Sequence, residues 1–253
     1  MTQDDTHTER IQMADTPLGW REIFSEANAG FDSLVPFLGV AQMLANEAQL
    51  VVEVGCGRGA VVDAAQGRAI QDLRGANRTV IGIDVDPAAV DNPAIDEFRL
   101  IDQSGHWPLA TGEADLAVSD WVLEHVVDPN QFIAELTRVL RPGGAFVART
   151  VSRYSPLSLA SRSVPNSRHA RVLSRLQPGR EARDVFPTMY RMNTRKDLAA
   201  LLDAKFEWTV SHRAGLNHYL HPWPRVARFI EAAEPRLPRS MRTTLVIYAR
   251  KRA

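Results

Sequence analysis

The chain has 253 residues, in which 30 Lys and Arg are balanced by 30 Asp and Glu, and it contains a single cysteine, Cys56. This length suits one α/β domain with a sizeable core, and the composition excludes a disordered, fibrous or disulfide-rich protein. One cysteine cannot form an internal disulfide, and the amino terminus lacks the basic and apolar regions of a signal peptide. We therefore expect a cytoplasmic protein without a transmembrane segment.

The charges are unevenly divided along the chain. Residues 1–135 contain 23 acidic and 7 basic residues, whereas residues 136–253 contain 7 acidic and 23 basic residues. The simpler interpretation is that the two halves pack together and compensate each other. The alternative is that the basic half faces an anionic ligand.

Strand-like and helical segments alternate along most of the chain. After a helical lead-in, assigned to residues 1–46, apolar and β-branched runs predict five buried strands. These strands are Leu50–Val54, Thr79–Asp84, Phe98–Asp102, Asp115–Asp120 and Gly144–Thr150. Before the fifth strand, Asp128 is a good helix N-cap followed by Pro129, and the Arg-Pro-Gly-Gly sequence at 141–144 predicts the end of that helix.

The last third of the chain departs from this alternation. Residues 152–192 are rich in Ser, Pro and Arg, which predicts a basic helical insertion or lid. Thr194–Asp197 has the pattern of a capping box, and two further strands are predicted at Phe206–His212 and Thr243–Arg250. We expect one of these strands to run antiparallel, because no long helical crossover fits tightly between them.

The predicted fold is therefore a single α/β domain over residues 1–253. It has a seven-stranded, mostly parallel sheet with helices on both faces and one antiparallel strand. A cofactor-binding core is assigned to residues 47–151, and a C-terminal helix with the final strands to residues 193–253.

Three glycines at alternate positions, Gly55, Gly57 and Gly59, follow the first predicted strand. Glycines between a strand and a helix let the backbone approach a ligand, and the helix N-terminus adds unpaired N–H groups. This pattern is ambiguous, since with Ala60 it also satisfies the dinucleotide fingerprint of NAD(P)-dependent oxidoreductases.

Three acids at the ends of predicted strands favour a different ligand. Glu53 lies inside the first strand, where a buried carboxylate requires a cationic partner such as a ligand ammonium group. Asp84 follows the glycines by roughly 30 residues, whereas the ribose-binding acid of a nicotinamide site is expected about 20 residues after them. Asp102 can accept a hydrogen bond from an exocyclic amine. A ligand with an ammonium group, a ribose and an adenine but no pyrophosphate fits this set better than NAD.

At these residues the sequence resembles the class I S-adenosylmethionine-dependent methyltransferases, which have a Rossmann-like fold, and in particular the methyltransferase type 11 group related to ubiquinone/menaquinone C-methyltransferases. The matching stretches lie between Leu50 and Arg149, in family order and spacing. They are VVEVGCGRG, VIGIDVDP, ADLAVSDWVLEHVVDP and LRPGGAFV.

The resemblance implies roles for residues at the first strand and its glycine turn. Glu53 matches the acid that orders the turn and the methionine end of the cofactor. Gly55, Gly57 and Gly59 match the glycines beside the methionine and ribose, and Cys56 lies within the same turn.

It also implies contacts from the following strands. Asp84 matches the acid that binds the ribose hydroxyls, with Val85 beside the adenine. Asp102 matches the acid at the adenine amine, with Gln103 next to it. A further pair, Asp120 and Trp121, lies where the chain of the family passes the sulfonium.

The acceptor side is less determined by the sequence. His125 and Tyr190 are candidate general bases, and Tyr154, Tyr190 and Arg191 are candidate acceptor-binding residues. We expect methyl transfer, most simply O-methylation, to a small-molecule, sugar or lipid-linked acceptor. The basic residues of the second half favour an anionic acceptor. Nucleic acid is disfavoured, no metal site is expected, and the oligomeric state is undetermined. The alternatives are an NAD(P)-dependent oxidoreductase and a non-catalytic S-adenosylmethionine-binding protein.

Overall fold

The computed structural model describes residues 33–59, 71–156, 158–159, 187–214 and 232–253. The predicted lead-in before residue 33, residues 60–70 after the glycine turn, residues 157 and 160–186 of the predicted insertion, and residues 215–231 lie outside these ranges. None of the helices within the described ranges combines the length and hydropathy needed to cross a membrane.

Seven strands form one sheet in the order β3-β2-β1-β4-β5-β7-β6. Their bounds are β1 Leu50–Val54, β2 Thr79–Asp84, β3 Glu97–Leu100, β4 Ala114–Asp120, β5 Leu140–Val151, β6 Phe206–Arg213 and β7 Thr244–Lys251. Strands β1 to β5 are parallel, and β7 runs antiparallel to both β5 and β6. The predicted Rossmann-like sheet with an antiparallel strand is confirmed.

The described α-helices are α1 Leu34–Ala45, α2 Pro129–Val139 and α3 Arg195–Leu202. The carboxylate of Asp128 caps α2 by accepting from the N–H groups of Asn130 and Gln131 at 2.9 and 3.1 Å. The hydroxyl of Thr194 caps α3 by accepting from the N–H of Asp197 at 3.1 Å. Both helices therefore begin where the capping residues predict. Short 3₁₀-helices span Pro87–Asp91, Leu123–His125, Glu234–Arg236 and Arg239–Met241.

The sheet is buried on both faces. Phe37 and Ala41 of α1 pack in one apolar cluster with Leu116 of β4. On the other face, Leu136 of α2 and Leu198 of α3 pack in a second cluster with alternate strand residues. Because successive strand side chains point to opposite faces, each central strand contributes to both clusters. This burial explains the nearly continuous apolar runs in the sequence.

Two strand boundaries differ from the prediction by more than one residue. Strand β3 ends at Leu100 rather than Asp102, because Asp102 is in a turn in which its carbonyl accepts from the N–H of Gly105 at 3.0 Å. Strand β5 begins at Leu140, so residues 141–144 continue the strand instead of forming a turn after α2. The residue before Pro142 favours extended backbone, which is consistent with this early start.

Candidate active site

Three carboxylates lie at the same edge of the sheet. Asp84 and Asp120 are the last residues of β2 and β4, and Glu53 is next to last in β1. Strand β1 lies between β2 and β4, and its register pairs Glu53 with Gly82 on one side and Val118 on the other. Open α/β sheets bind their ligands at this carboxyl edge.

The glycine turn after β1 is held against the end of β2. The N–H groups of Gly55 and Cys56 both donate to the carbonyl of Ile83, at 2.8 and 3.3 Å. Gly55, Gly57 and Gly59 have φ angles of 70°, 52° and 81°, in the left-handed region that disfavours residues with a side chain. The backbone conformation therefore explains the alternating glycines.

The surroundings of the three glycines differ. A Cβ atom at Gly55 would lie 2.4 Å from Cγ2 of Val122, and one at Gly59 would lie 2.8 Å from Oδ1 of Asn92. Among the described residues, no atom lies within 4 Å of a Cβ atom placed at Gly57. Gly55 and Gly59 thus permit close packing within the protein, whereas Gly57 adjoins open space that a ligand can use.

Asp84 is almost fully buried and joins the glycine turn to β2. One of its carboxylate oxygens accepts from the N–H of Gly57 at 2.8 Å, and the other accepts from the N–H of Asp86 at 2.9 Å. Each carboxylate oxygen can accept a second hydrogen bond. Val85, the predicted adenine neighbour, is 60 % exposed beside it.

Asp102 and Gln103 lie just beyond β3 and are both exposed. The carboxylate of Asp102 accepts from the hydroxyl and the N–H of Ser104, and these hydrogen bonds lower its pKa. The N–H of Ile101 donates to the carbonyl of Asp84 at 2.8 Å, which ties this segment to the end of β2. Asp102 is therefore ionised at neutral pH and next along the edge from Asp84.

Glu53 is the electrostatic exception at this edge. Burial, followed by the negative charges of Asp120, Asp72 and Asp84, raises the pKa of its carboxyl to about 8. Within the described residues, no cation or hydrogen-bond donor contacts it. Burial also raises the pKa of the Cys56 thiol to about 12, so this thiol is not a nucleophile at neutral pH.

Asp120 is paired with a buried arginine that the sequence analysis missed. Nε and Nη2 of Arg149 each donate to one carboxylate oxygen of Asp120 at 2.7 Å. The guanidinium carbon lies 4.9 Å from the ring centroid of Trp121. The pair could have been predicted from the sequence, because an arginine lies inside the apolar run of β5 and the neighbouring strand β4 ends in an acid.

Two predicted acceptor-side residues lie against the segment that follows β4. The N–H of Tyr190 donates to the carbonyl of Glu124 at 3.2 Å, and Nη1 of Arg191 donates to the carbonyl of Val127. Tyr190 is buried and has a φ of 52°, so both it and Trp121, with a φ of 56°, have left-handed backbone. Such conformations in bulky residues are rare and often occur at functional sites.

His125 belongs to the same region. Its Nδ1 lies 3.0 Å from the carbonyl oxygen of Pro187, so Nδ1 carries the proton and the lone pair of the neutral ring is on Nε2. Tyr154 is 49 % exposed, and its neighbour Arg153 donates through its N–H to the carbonyl of Asn193 at 3.0 Å.

A buried polar network that the sequence analysis also missed connects these segments. The hydroxyl of Thr150 donates to the carboxylate of Glu124 at 2.7 Å. The side-chain amide of Asn193 donates to the hydroxyl of Thr150 and to the carbonyl of Val151, both at 2.8 Å. The network links the end of β5 to the segments on either side. Within the described residues, no group of His, Cys, Asp and Glu is arranged to hold a metal ion.

Residues 52–148 match the family model of the methyltransferase domain. Over these residues the chain is similar to methyltransferase domains, in agreement with the family that the sequence analysis predicts. Together with the relatives described next, this match confirms the predicted resemblance and its cofactor, S-adenosylmethionine, and favours them over the nicotinamide-dependent alternative. The matched residues contain the carboxyl end of β1, all of β2 to β4 and most of β5, and hence the carboxyl edge with Glu53, Asp84 and Asp120.

Two curated relatives are similar to the methyltransferase domain over part of their length. A probable S-adenosylmethionine-dependent methyltransferase of Mycolicibacterium smegmatis is 37 % identical over 130 residues, which cover 49 % of this chain and 46 % of the relative. A ubiquinone biosynthesis O-methyltransferase of Thiobacillus denitrificans is 28 % identical over 111 residues, 41 % of this chain and 44 % of the relative. The match thus spans less than half of the length of each relative.

Solved structures support the fold. An S-adenosylmethionine-dependent methyltransferase from Mesorhizobium loti is 19 % identical, with a TM-score of 0.50 over 89 % of this chain and 100 % of that one. A geranyl diphosphate C-methyltransferase from Streptomyces coelicolor is 17 % identical, with a TM-score of 0.51 over 94 % and 84 % of the two chains. These similarities confirm the predicted Rossmann-like fold.

Proposed function

We propose that the protein binds S-adenosylmethionine at the carboxyl edge of its sheet and transfers the methyl group to an acceptor. The observation that carries this proposal is Glu53: a partly buried carboxyl, surrounded by other acids, that has no cation among the described residues. An ammonium group of a ligand would supply the missing charge. The open space beside Gly57 and the remaining acceptor capacity of Asp84 fit the same ligand.

Each predicted cofactor residue has a role in this proposal. Glu53 would hold the ammonium group, and the turn of Gly55, Cys56, Gly57 and Gly59 would hold the methionine and ribose. Asp84 would accept from the ribose hydroxyls. Val85, Asp102 and Gln103 would border the adenine, and Asp120 with Trp121 would border the sulfonium end.

The bound cofactor would supply an electrophilic methyl group, so the protein mainly has to orient the acceptor and exclude water. Tyr190 is placed for this role because its buried ring belongs to a segment bonded to the carbonyl of Glu124. His125 would act as general base where the acceptor is a poorly acidic hydroxyl, since its Nδ1–H contact fixes the tautomer that leaves Nε2 as the acceptor.

For the acceptor, we propose an oxygen of a small-molecule, sugar or lipid-linked compound. The partial similarity to a ubiquinone biosynthesis O-methyltransferase supports oxygen as the methylated atom and a lipid-linked class. The excess of basic residues after residue 135 supports an anionic acceptor, with Arg191 and Tyr154 as contacts. A cytoplasmic location and a lack of nucleic acid partners complete the proposal.

The test is calorimetric binding of S-adenosylmethionine and of NAD to the wild-type chain and to Asp84→Ala. The wild-type chain should bind the first ligand and not the second. Loss of the carboxylate should weaken binding by about 100-fold, because hydrogen bonds to charged groups are worth about 1.5–3 kcal/mol. Glu97→Ala is the control, since Glu97 is an exposed acid at the start of β3 that contacts Arg99.

Two results would contradict the proposal: near-normal affinity in Asp84→Ala, or a wild-type preference for NAD. Tight binding without methyl transfer to a panel of phenols, sugars and carboxylates would instead support the non-catalytic alternative.

A further inference from the structure

Arg149 is a buried charged residue at the candidate site to which the cofactor assignment gives no role. Its side chain is 7 % exposed and its fork pairs both carboxylate oxygens of Asp120 at 2.7 Å. The two residues are register partners, Asp120 as the last residue of β4 and Arg149 as the third residue from the end of β5. The guanidinium carbon also lies 5.2 Å from the ring centroid of Phe37, a fully buried residue of α1. Arg149 therefore connects a helix on one face of the sheet to the end of β4.

Arg149 contacts Trp121 through both its backbone and its side chain. Its carbonyl accepts from the N–H of Trp121 at 2.9 Å, and its guanidinium lies over the indole ring. The φ of 56° at Trp121 is unfavourable for a bulky side chain and persists only when the surroundings enforce it. The hydrogen bond, the ring contact and the ion pair at the preceding residue provide this enforcement.

The turn held in this way contacts the glycine turn directly. Val122 follows Trp121, and its Cγ2 would lie 2.4 Å from a Cβ atom at Gly55. The side chain of Val122 thus packs on the bare backbone of Gly55 with no room for a methyl group. A change in the backbone at Trp121 would move Val122 and, with it, the turn that follows Glu53.

We propose that Arg149 is a positioning residue of the methyl-transfer site, which holds Trp121 in its left-handed conformation and so fixes the turn after β4 against the glycine turn. This inference rests on the proposed function, because it assigns Arg149 to the same cofactor site. Arg149 acts through Trp121 and Val122, so this role does not require Arg149 to contact the ligand.

The geometry requires the planar fork of arginine and cannot be reproduced by charge alone. A lysine retains one positive charge near Asp120, but it cannot pair with both oxygens and stack on an indole ring at the same time. Arg149→Lys therefore separates the positioning role from simple charge neutralisation. Trp121→Gly removes both the indole ring and the strain of a bulky residue in left-handed backbone. In this variant Arg149 has no side chain left to position.

The experiment measures the affinity for S-adenosylmethionine and S-adenosylhomocysteine by calorimetry in a double-mutant cycle. Arg149→Lys should weaken both by about tenfold or more, as expected when a site is displaced by a fraction of an ångström. In the Trp121→Gly background the same substitution should add less than about a twofold loss. Thermal unfolding of each variant shows that it is folded.

Arg138→Lys is the matched control. Arg138 also pairs with a carboxylate, that of Glu135, and donates to two carbonyls, those of Trp107 and Leu109, but it lies near the end of α2, where β5 begins. Its ligand affinities should stay within about twofold of wild type. If Arg149→Lys does not fold, Asp120→Asn takes its place, because it weakens the same ion pair by removing the negative charge of Asp120.

An unchanged affinity in Arg149→Lys, alongside normal binding by the wild-type chain, would overturn the positioning role and leave the proposed function standing. An undiminished effect in the Trp121→Gly background would also overturn it, because Arg149 would then act independently of Trp121. A wild-type chain that binds neither ligand would overturn the proposed function and this inference with it.

Discussion

The ends of β1 and β4 place acids on neighbouring strands of one sheet in opposite electrostatic situations. At the end of β4, Asp120 has a bidentate partner in Arg149 at 2.7 Å. At the end of β1, Glu53 has no cation among the described residues, and burial together with Asp120, Asp72 and Asp84 raises its pKa to about 8. Within the part of the chain that the structure describes, a counter-charge is thus present at the end of β4 and absent at the end of β1.

This difference separates a structural carboxylate from a ligand-binding one. An acid that pairs with a buried arginine is satisfied before any ligand arrives, and its removal leaves the arginine unpaired. An acid without a partner raises the free energy of the unliganded protein when it ionises and becomes favourable when a cation binds. We therefore interpret the end of β4 as a support for the site and the end of β1 as the position that receives the charged part of the ligand.

Replacement of Glu53 by glutamine is expected to have the largest effect, and it tests whether the end of β1 binds the charged part of the ligand. Glutamine resembles the protonated acid but cannot release a proton on unfolding, so the variant should be more stable than wild type at neutral pH. The affinity for S-adenosylmethionine should fall by about 100-fold, since a charged hydrogen bond to the ammonium group is lost. Calorimetry and thermal unfolding at pH 7 measure the two quantities. A large loss of stability with normal affinity would show that Glu53 has a structural partner.

The pH dependence of the stability of the folded chain provides a second test of the unpaired state of Glu53. A carboxyl with a folded-state pKa of about 8 and an ordinary pKa of 4.5 binds its proton more tightly in the folded chain. Its contribution to stability is therefore fully present below pH 4.5 and is lost as the pH rises towards 8. Wild-type stability should decrease relative to Glu53→Gln over this interval, as measured by thermal unfolding at each pH.

Ligand binding should show the same linkage. If the ligand requires ionised Glu53, binding at pH 7 should release close to one proton, and the affinity should fall about tenfold per pH unit below pH 8. Calorimetry in buffers of different ionisation enthalpy counts the protons. Glu53→Gln is the control, because any pH dependence that it retains belongs to the ligand or to other groups. Equal heats in all buffers would contradict the prediction.

The sequence predicted the strands and the acids more successfully than their partners. Leu50–Val54 and Thr79–Asp84 were predicted with their observed bounds, because buried β-branched runs have few alternatives to a strand. Arg149 and Thr150 were placed in a strand but given no role, since their partners Asp120 and Glu124 are distant in sequence. Pairings of this kind depend on strand order and register, which single-residue patterns do not specify.

The smallest expected effect comes from Gly57, which belongs to the glycine turn that follows Glu53. Gly57→Ala places a methyl group in open space at a φ of 52°, so the left-handed backbone should cost about 1–2 kcal/mol of stability. Gly112→Ala is the matched control, because Gly112 has a φ of 70° and, among the described residues, a Cβ there would meet only the Cα of Arg141, at 3.9 Å.

Both alanine variants should therefore lose similar stability in urea unfolding, and only Gly57→Ala should also lose affinity for S-adenosylmethionine, by several-fold. The loss of affinity has a steric cause, since the added methyl group occupies space that the ligand needs beside the N–H bonded to Asp84. Equal affinities in the two variants would mean that the ligand does not approach Gly57. The ligand would then have to approach Glu53 from a side other than that of Gly57.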